Sequence, residues 1–471
     1  MHHPDTIAAL ATARGESALA VVRVSGPLAL EVASSRFTNA KLADAPSHTA
    51  HVGWVTNARG ERVDQAVATV FRGPTSATGE DVVELTTHGG TAAPQAVLRA
   101  LLDAGVRLAE PGEFTQRAFL AGKLDLAQAE AIADLIHARS TAAARSAARG
   151  IEGRTSGALA TIKDRLVETA ALVELELDFS DEDVEFADRE TLVRLLGEAS
   201  GEIAALLSTA RLGAFVRDGV RVVLGGRPNA GKSTLLNALV ERDRAIVSEV
   251  AGTTRDSVEA EREIDGLLFR FVDTAGLRET EDAIEAEGVR RSREAAGGAD
   301  VLVYVADART GLDAQEAAFL ADLTARRPDL PIVHVANKAD LLASGGAPNG
   351  QAGSASPQNV GAPEALALSA HRALTDPAAL DGLRQRLLSI VRAGESEAES
   401  SVIVTNERHR QLLAQAHEAV GRAQSQLEAG ASGDLLALDL RAALDALGRI
   451  TGAVTADDVL GAVFGRFCIG K

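Results

Sequence analysis

The chain has 471 residues, too many for one ordinary core and enough for roughly three domains. With 46% hydrophobic and 24% charged residues it has the balance of a soluble globular protein. Its formal charge of −18 argues against a dedicated nucleic-acid binder, so any RNA contact is expected to be local or carried by a basic partner.

No stretch approaches ~18 consecutive apolar residues, and the opening Met1-His2-His3-Pro4-Asp5 has no secretory signal character. The single Cys468 leaves no intrachain disulfide and no multi-cysteine zinc site. A cytoplasmic protein with no membrane attachment is expected. Aromatics are only 3%, so the cores must be built from Ala, Leu, Val and Ile.

The first ~120 residues read as α+β. Short β-branched runs (Ala18 to Val24, Val63 to Phe71, Asp81 to Thr87) surround a helical pattern from Pro94 to Leu102. From about Leu124 to Arg211 the pattern becomes Ala- and Leu-rich with helical periodicity, as in Leu126, Ala129, Ile132, Ala133 and Ile136. Leu172 to Phe179 and Leu192, Leu195 and Leu196 continue it, which predicts a helical bundle. Val220 opens an alternation of buried strands with helices: Val220 to Leu224, Leu267 to Val272, Val301 to Val305, Ile332 to Val335 and Leu366 to Leu368. Such alternation predicts a parallel sheet covered by helices on both faces. Ala343 to Pro363 is a Gly/Ala/Ser/Pro/Asn-rich loop. After about Leu380 the helical pattern returns, with Leu412, Ala416 and Val420 on one face. Thr455-Ala456-Asp457-Asp458 is expected to start a final helix ending near Phe467.

Gly226-Arg227-Pro228-Asn229-Ala230-Gly231-Lys232-Ser233 matches G-x-x-x-x-G-K-[ST], directly after a strand and before a helix. Glycines let backbone N–H groups close around phosphate oxygens, and the helix N-terminus adds a favourable dipole. Lys232 is expected at the β- and γ-phosphates and the Ser233 hydroxyl on Mg²⁺, with Thr234 counted among the GTP-binding residues. Three further motifs follow in order. The loop Ser248-Glu249-Val250-Ala251-Gly252-Thr253-Thr254 offers Thr254 to Mg²⁺. Asp273-Thr274-Ala275-Gly276 follows a strand, so Asp273 can hold a magnesium water and the Gly276 amide can sense the γ-phosphate. In Asn337-Lys338-Ala339-Asp340, the Asp340 carboxylate can accept two hydrogen bonds from guanine that adenine cannot donate. Ser369-Ala370 is similar to the usual element behind the base. Together these motifs point to a Ras-like P-loop domain that binds and hydrolyses GTP. Leu277 stands where Ras-type switches carry a water-orienting glutamine, so another group must do that work. His88-Gly89-Gly90 is similar to a lipase oxyanion loop, but no G-x-S-x-G accompanies it and that reading is dismissed.

Four stretches resemble the MnmE (TrmE) family of tRNA-uridine modification GTPases. They are Ala20 to Gly26, Thr78-Gly79-Glu80-Asp81 through Leu85, Pro111-Gly112-Glu113-Phe114 on to Lys123 and Asp134, and the terminal Phe467-Cys468-Ile469-Gly470-Lys471. Ala77, at a position usually aromatic in the family, and the loop from Ala343 to Pro363 are departures. The resemblance covers essentially the whole chain. It implies a multidomain α/β plus α fold: an N-terminal tetrahydrofolate-binding and dimerisation domain (1–120), a helical domain in two parts (121–216 and 381–471), and a Ras-like GTPase domain (217–380) inserted between them. Carried over by position, Asn229, Ser248, Val250 and Thr253 are K⁺ ligands. Glu285 orients the hydrolytic water, although among Glu279, Glu281, Asp282 and Glu287 it reads on its own as a solvated helix charge.

Arg23, Glu84, Lys123 and Lys471 match the folate contacts, the folate being a one-carbon form such as 5-formyl- or methylene-tetrahydrofolate. Arg and Lys suit its carboxylates, and Glu84 suits the paired donors of its amino-pyrimidine edge. Cys468 is taken as catalytic, since the family requires its tail cysteine for modification. The implied whole is a homodimer that joins a flavin-bearing, MnmG-type partner in a heterotetramer or larger complex. That complex installs an aminomethyl or carboxymethylaminomethyl group at the 5-carbon of the tRNA wobble uridine. No Rossmann fingerprint is present, so FAD belongs to the partner. The competing reading is a GTP-switched ribosome-assembly or RNA-binding GTPase, which explains neither the first ~120 residues nor the Cys468 tail.

Overall fold

A computed structural model describes residues 5–178, 189–240, 259–273, 297–343, 365–393, 402–454 and 457–471. The chain divides into two compact units. The first comprises Met1–His137, Ala147–Ala205 and Gln411–Lys471, and the second Ala138–Ser146 and Leu206–Arg410.

The first unit is built on strands β1 (Ile7–Leu10), β2 (Leu19–Ser25), β3 (Thr49–Thr56), β4 (Arg62–Phe71), β5 (Val82–His88) and β6 (Arg107–Leu108), in the order β3-β4-β5-β2-β1-β6. β1 and β6 pair in parallel, and the other neighbours are antiparallel. Alternation decides which face is covered. Along β4, Ala66, Ala68 and Val70 are buried while Gln65 and Val67 are exposed. The helix Ala92–Leu102 lays Val97, Ala100 and Leu101 on that apolar face, against a core that includes Val22, Val24, Val83 and Leu85. β1 and β3 were not foreseen from the sequence, because Ile-Ala-Ala-Leu is short with little β-branching and β3 mixes Gly53 and His51 among its apolar residues.

The rest of the first unit is helical. Arg154–Asp178 buries Leu159, Ile162, Leu166, Thr169 and Val173, and Gly433–Thr451 buries Leu436, Leu440, Ala443, Leu447 and Ile450. Both sets recur at three- and four-residue steps, so each makes one stripe, and the two helices pack on each other. Each fully buried Leu in such a seam contributes about 2 kcal/mol.

The second unit holds strands β7 (Val220–Gly225), β8 (Glu259–Ile264), β9 (Leu267–Asp273), β10 (Val301–Asp307), β11 (Ile332–Asn337) and β12 (Leu366–Ala367) in the order β12-β11-β10-β7-β9-β8. Both faces are covered. Val222 and Leu224 join Leu235, Leu239, Leu383 and Leu387, whereas Val223 joins Phe319, Leu320 and Leu323 on the other side. The sheet is not wholly parallel as expected: β8 runs antiparallel to β9. The turn between them, Asp265-Gly266, has φ of 50° and 83°, a hairpin turn that Asp-Gly readily adopts. β8 escaped the sequence reading because Glu-Ala-Glu-Arg-Glu-Ile is a charged edge strand without a buried run. The C-terminal helix also differs from expectation. It spans Asp457–Phe464 and ends before Gly465, and Phe467 lies in the turn that follows.

Candidate functional site

The phosphate-loop motif lies between β7 and the helix Lys232–Val240, and two of its glycines are there for space. Gly226 has φ of 132°, and a Cβ on it would lie 2.1 Å from the Val305 carbonyl oxygen. Gly231 has φ of 96°, and its Cβ would lie 2.2 Å from Asn337 Nδ2. Lys232 is 6% exposed, and its Nζ donates to the carbonyls of Gly226 and Arg227 at 2.8 and 2.7 Å. Burial lowers its pKa, and the Asp273 carboxylate opposes that shift. Ser233 Oγ donates to Asp273 Oδ2 at 2.8 Å, so a hydroxyl and a carboxylate converge where the motif calls for a magnesium site. Such hard oxygen donors fit that ion.

Asn337 joins this loop to the one behind it. Its Nδ2 donates to the Ala230 carbonyl and its Oδ1 accepts from the Ala370 N–H, both at 2.8 Å. Ser369 caps the short helix that follows by accepting from Arg372 N–H. Lys338 Nζ donates to the Asn229 carbonyl at 2.8 Å. Asn229 and Lys338 are both non-glycine residues at positive φ, 62° and 65°, a conformation that costs about 1–3 kcal/mol each. Ala339 N–H bonds the Leu368 carbonyl, and Asp340 opens the helix Asp340–Ala343 on the surface. Thr234 is half-buried on the helix after the loop.

In the first unit Arg23 and Glu84 face each other across β2 and β5. Their nearest N···O distance is 2.7 Å, and the Arg23 guanidinium lies 5.5 Å from the Phe114 ring centroid. Lys123 Nζ donates to the Pro74 carbonyl. The C-terminal tail is docked beside these strands. Phe464 and Phe467 pack with Leu126 and Ala129, Ile469 bridges Pro111, and Gly470 lies against the Leu10 backbone. Gly112 has no room for a side chain either, since its Cβ would meet the Phe464 carbonyl at 2.5 Å. Cys468 is exposed, and the Lys471 N–H bonds back to its carbonyl.

Comparison with known proteins gives a consistent result. The family profile described as "GTP-binding protein TrmE N-terminus" matches residues 6–123, and that described as "MnmE helical domain" matches residues 126–468. A tRNA modification GTPase MnmE of Salinibacter ruber is 55% identical over 471 residues, covering 100% of both chains. Proteins of the same description from Chlorobium phaeobacteroides and Cytophaga hutchinsonii are 45% and 42% identical, over 99% and 100% of this chain and 97% and 98% of theirs. The chain belongs to the MnmE family of tRNA modification GTPases.

Of the residues assigned from this MnmE resemblance and the nucleotide motifs, Asn229 to Thr234, Asp273 and Asn337 to Asp340 fall on one end of the second unit's sheet. Ser248, Glu249, Val250, Ala251, Gly252, Thr253, Thr254, Thr274, Ala275, Gly276 and Glu285 lie outside the described residues. Three of the four residues expected to bind K⁺, one of the two expected to bind Mg²⁺ and the acid expected to orient water are among them. Within the described residues no group of three or more His, Cys, Asp or Glu is arranged to hold a metal, and no helix is long and apolar enough to cross a membrane.

One cluster was not anticipated. Arg117, 2% exposed, bonds Asp5, Glu80 and Glu113, and Glu113 also takes Arg107. Glu80 accepts from Ser25 Oγ, which shares a hydrogen bond with Thr78 Oγ1. The sequence signal was present: Ser25, Thr78, Glu80 and Glu113 all lie in the stretches that carry the MnmE resemblance. Their part is to lock the strands that carry Arg23 and the loop that meets Lys123. His88 likewise has a structural partner, Asp64, at 2.7 Å.

Proposed function

We propose that this chain is the GTP-hydrolysing, tetrahydrofolate-binding subunit of a complex that adds an aminomethyl or carboxymethylaminomethyl group to the 5-carbon of the tRNA wobble uridine. The observation that carries the reading is the docked tail. Pairing of Ile469 with Pro111 and the seat of Gly470 on Leu10 bring the segment bearing Cys468 and Lys471 to the strand that neighbours Arg23. An exposed thiol on the same tail offers a nucleophile, and the Arg23 and Lys471 side chains offer charge to the folate carboxylates.

In the GTPase part, Lys232 would hold the β- and γ-phosphates, Ser233, Thr254 and Asp273 would hold Mg²⁺, which supplies positive charge to the phosphates, and Asp340 would select guanine. Asn229, Ser248, Val250 and Thr253 would hold K⁺, a cation that stabilises negative charge developing on the phosphates. Glu285 orients the hydrolytic water in place of a glutamine. The chain works as a cytoplasmic homodimer through residues 1–120, with the helical parts 121–216 and 381–471 flanking the GTPase domain 217–380. The flavin sits in an MnmG-type partner.

The test is equilibrium binding of 5-formyltetrahydrofolate to the purified chain. The expected result is saturable binding that Arg23→Ala weakens at least about tenfold, the effect of losing a charge-assisted contact. No binding, or binding indifferent to Arg23→Ala, removes the folate part.

A further inference from the structure

The phosphate loop is gripped from outside by ion pairs that the nucleotide motifs do not account for. Arg227, the residue after Gly226, pairs with Asp313 and brings Nε to 3.2 Å from Glu316 Oε2. Glu316 is 2% exposed and also accepts the hydroxyl of Tyr304, the only tyrosine in the chain, at 3.0 Å. On the other flank of the loop, the Lys338 ammonium that holds the Asn229 carbonyl lies 3.0 Å from Asp307 Oδ2. Asp307 is fixed in turn by Arg309, whose Nε and Nη2 approach its two oxygens at 3.0 and 2.7 Å. Both grips start from one stretch of chain, 307–316, which leaves the end of β10 and enters the helix Ala314–Arg326.

We propose that segment 307–316 is a positioning clamp for the phosphate loop, with Asp307 acting through Lys338 and Glu316 through Arg227 to hold the loop ready and slow nucleotide release. The loop needs such support, because it combines two glycines at positive φ with a non-glycine residue, Asn229, in the left-handed region. A backbone of that kind is costly to order, and ordering it before the ligand arrives converts into affinity. The carbonyls of Gly226 and Arg227, which receive Lys232, sit at one grip, and the Asn229 carbonyl sits at the other. The pairing also neutralises the clamp's carboxylates beside a site meant for phosphates. The inference rests on reading Gly226 to Ser233 as the nucleotide loop.

Two substitutions remove charge with little change of shape. Glu316→Gln keeps the capping bond to Asp313 N–H, since glutamine serves that position as glutamate does. Asp307→Asn keeps an oxygen for the Arg309 N–H. The measurement is release of a fluorescent GDP from the full chain by stopped flow, with the melting temperature of each variant alongside. We expect release about threefold faster for each and about tenfold faster for both together. Glu316→Gln should add nothing in a background of Arg227→Gln. Release at the unsubstituted rate, with or without a lower melting temperature, overturns the clamp, as does an equal effect in the Arg227→Gln background. Should Glu316→Gln fail to fold, Asp307→Asn decides alone. An unsubstituted chain that binds no GDP overturns the nucleotide-loop reading instead.

Discussion

Arg117 shows how much of the first unit's chemistry is structural. A guanidinium removed from water costs several kcal/mol unless it is paired, and here Asp5, Glu80 and Glu113 come from three separate segments to pair it. For Glu113, burial pushes the carboxyl pKa up, but bonds from Arg107, the Glu110 N–H and Arg117 outweigh it, so the net shift is downward from 4.5. A carboxylate depressed in the folded state stabilises fully above its unfolded value, and the gain is lost as pH falls through the folded value. Glu113→Gln should therefore cost about 3 kcal/mol near neutrality and flatten the loss of melting temperature between about pH 5 and about pH 3. Calorimetry over that range checks both, and an unchanged acid slope would remove Glu113 from the account. Asp340 makes the matching case in the nucleotide site. Asp340→Asn reverses the acceptor pattern shown to the base, so GTP affinity should fall by at least about tenfold and xanthine nucleotides should gain. Competition titration measures it, and unchanged GTP affinity defeats the assignment.

At the scale of elements, the nucleotide motifs were legible because each is a run of fixed spacing at a strand end, and strands β7, β9, β10 and β11 read as continuous apolar runs. β8 was not, because an edge strand needs no buried run, and β1 was not, because its two-sided burial rests on alanines that carry no strand preference. The Arg117 cluster was missed for a different reason: Glu113 is one turn away, but Asp5 and Glu80 are distant in sequence, so nothing local marks the arginine as buried. The tail was expected near the folate contacts through the resemblance alone, and its seat depends on Gly112 and Gly470 having no side chain. Gly470 has φ of 100°, and an added Cβ would lie 2.2 Å from the Leu10 carbonyl oxygen. Gly470→Ala must therefore shift the tail off β1. The expected outcome is folate affinity lowered by about tenfold or more, given the proposed part of Lys471, with the melting temperature nearly unchanged because only a terminal segment moves. Unaltered folate binding in a titration would show that the docked tail does not build that site.

For the molecule as a whole, the central question is whether its two chemistries can be separated. Cys468 belongs to the first unit, whereas the phosphate loop, Asp273 and Asp340 belong to the second. The thiol is exposed, so its substitution removes no core packing. Cys468→Ser exchanges one atom and should leave folding and GTP hydrolysis near the unsubstituted level. Serine is a far weaker nucleophile at neutral pH, because its hydroxyl does not ionise in the range open to a thiol. Wobble-uridine modification should then collapse, by about a hundredfold or more if the thiolate forms a bond in the reaction, while phosphate release continues. Nucleoside analysis of tRNA from cells carrying only the variant, beside phosphate release from the purified chain, reads the two activities independently. Loss of both would place Cys468 in the fold rather than the chemistry, and the melting temperature would show it. Full modification with Cys468→Ser would mean that the exposed thiol takes no part, leaving Lys471 and the tail backbone as what the docked C-terminus contributes.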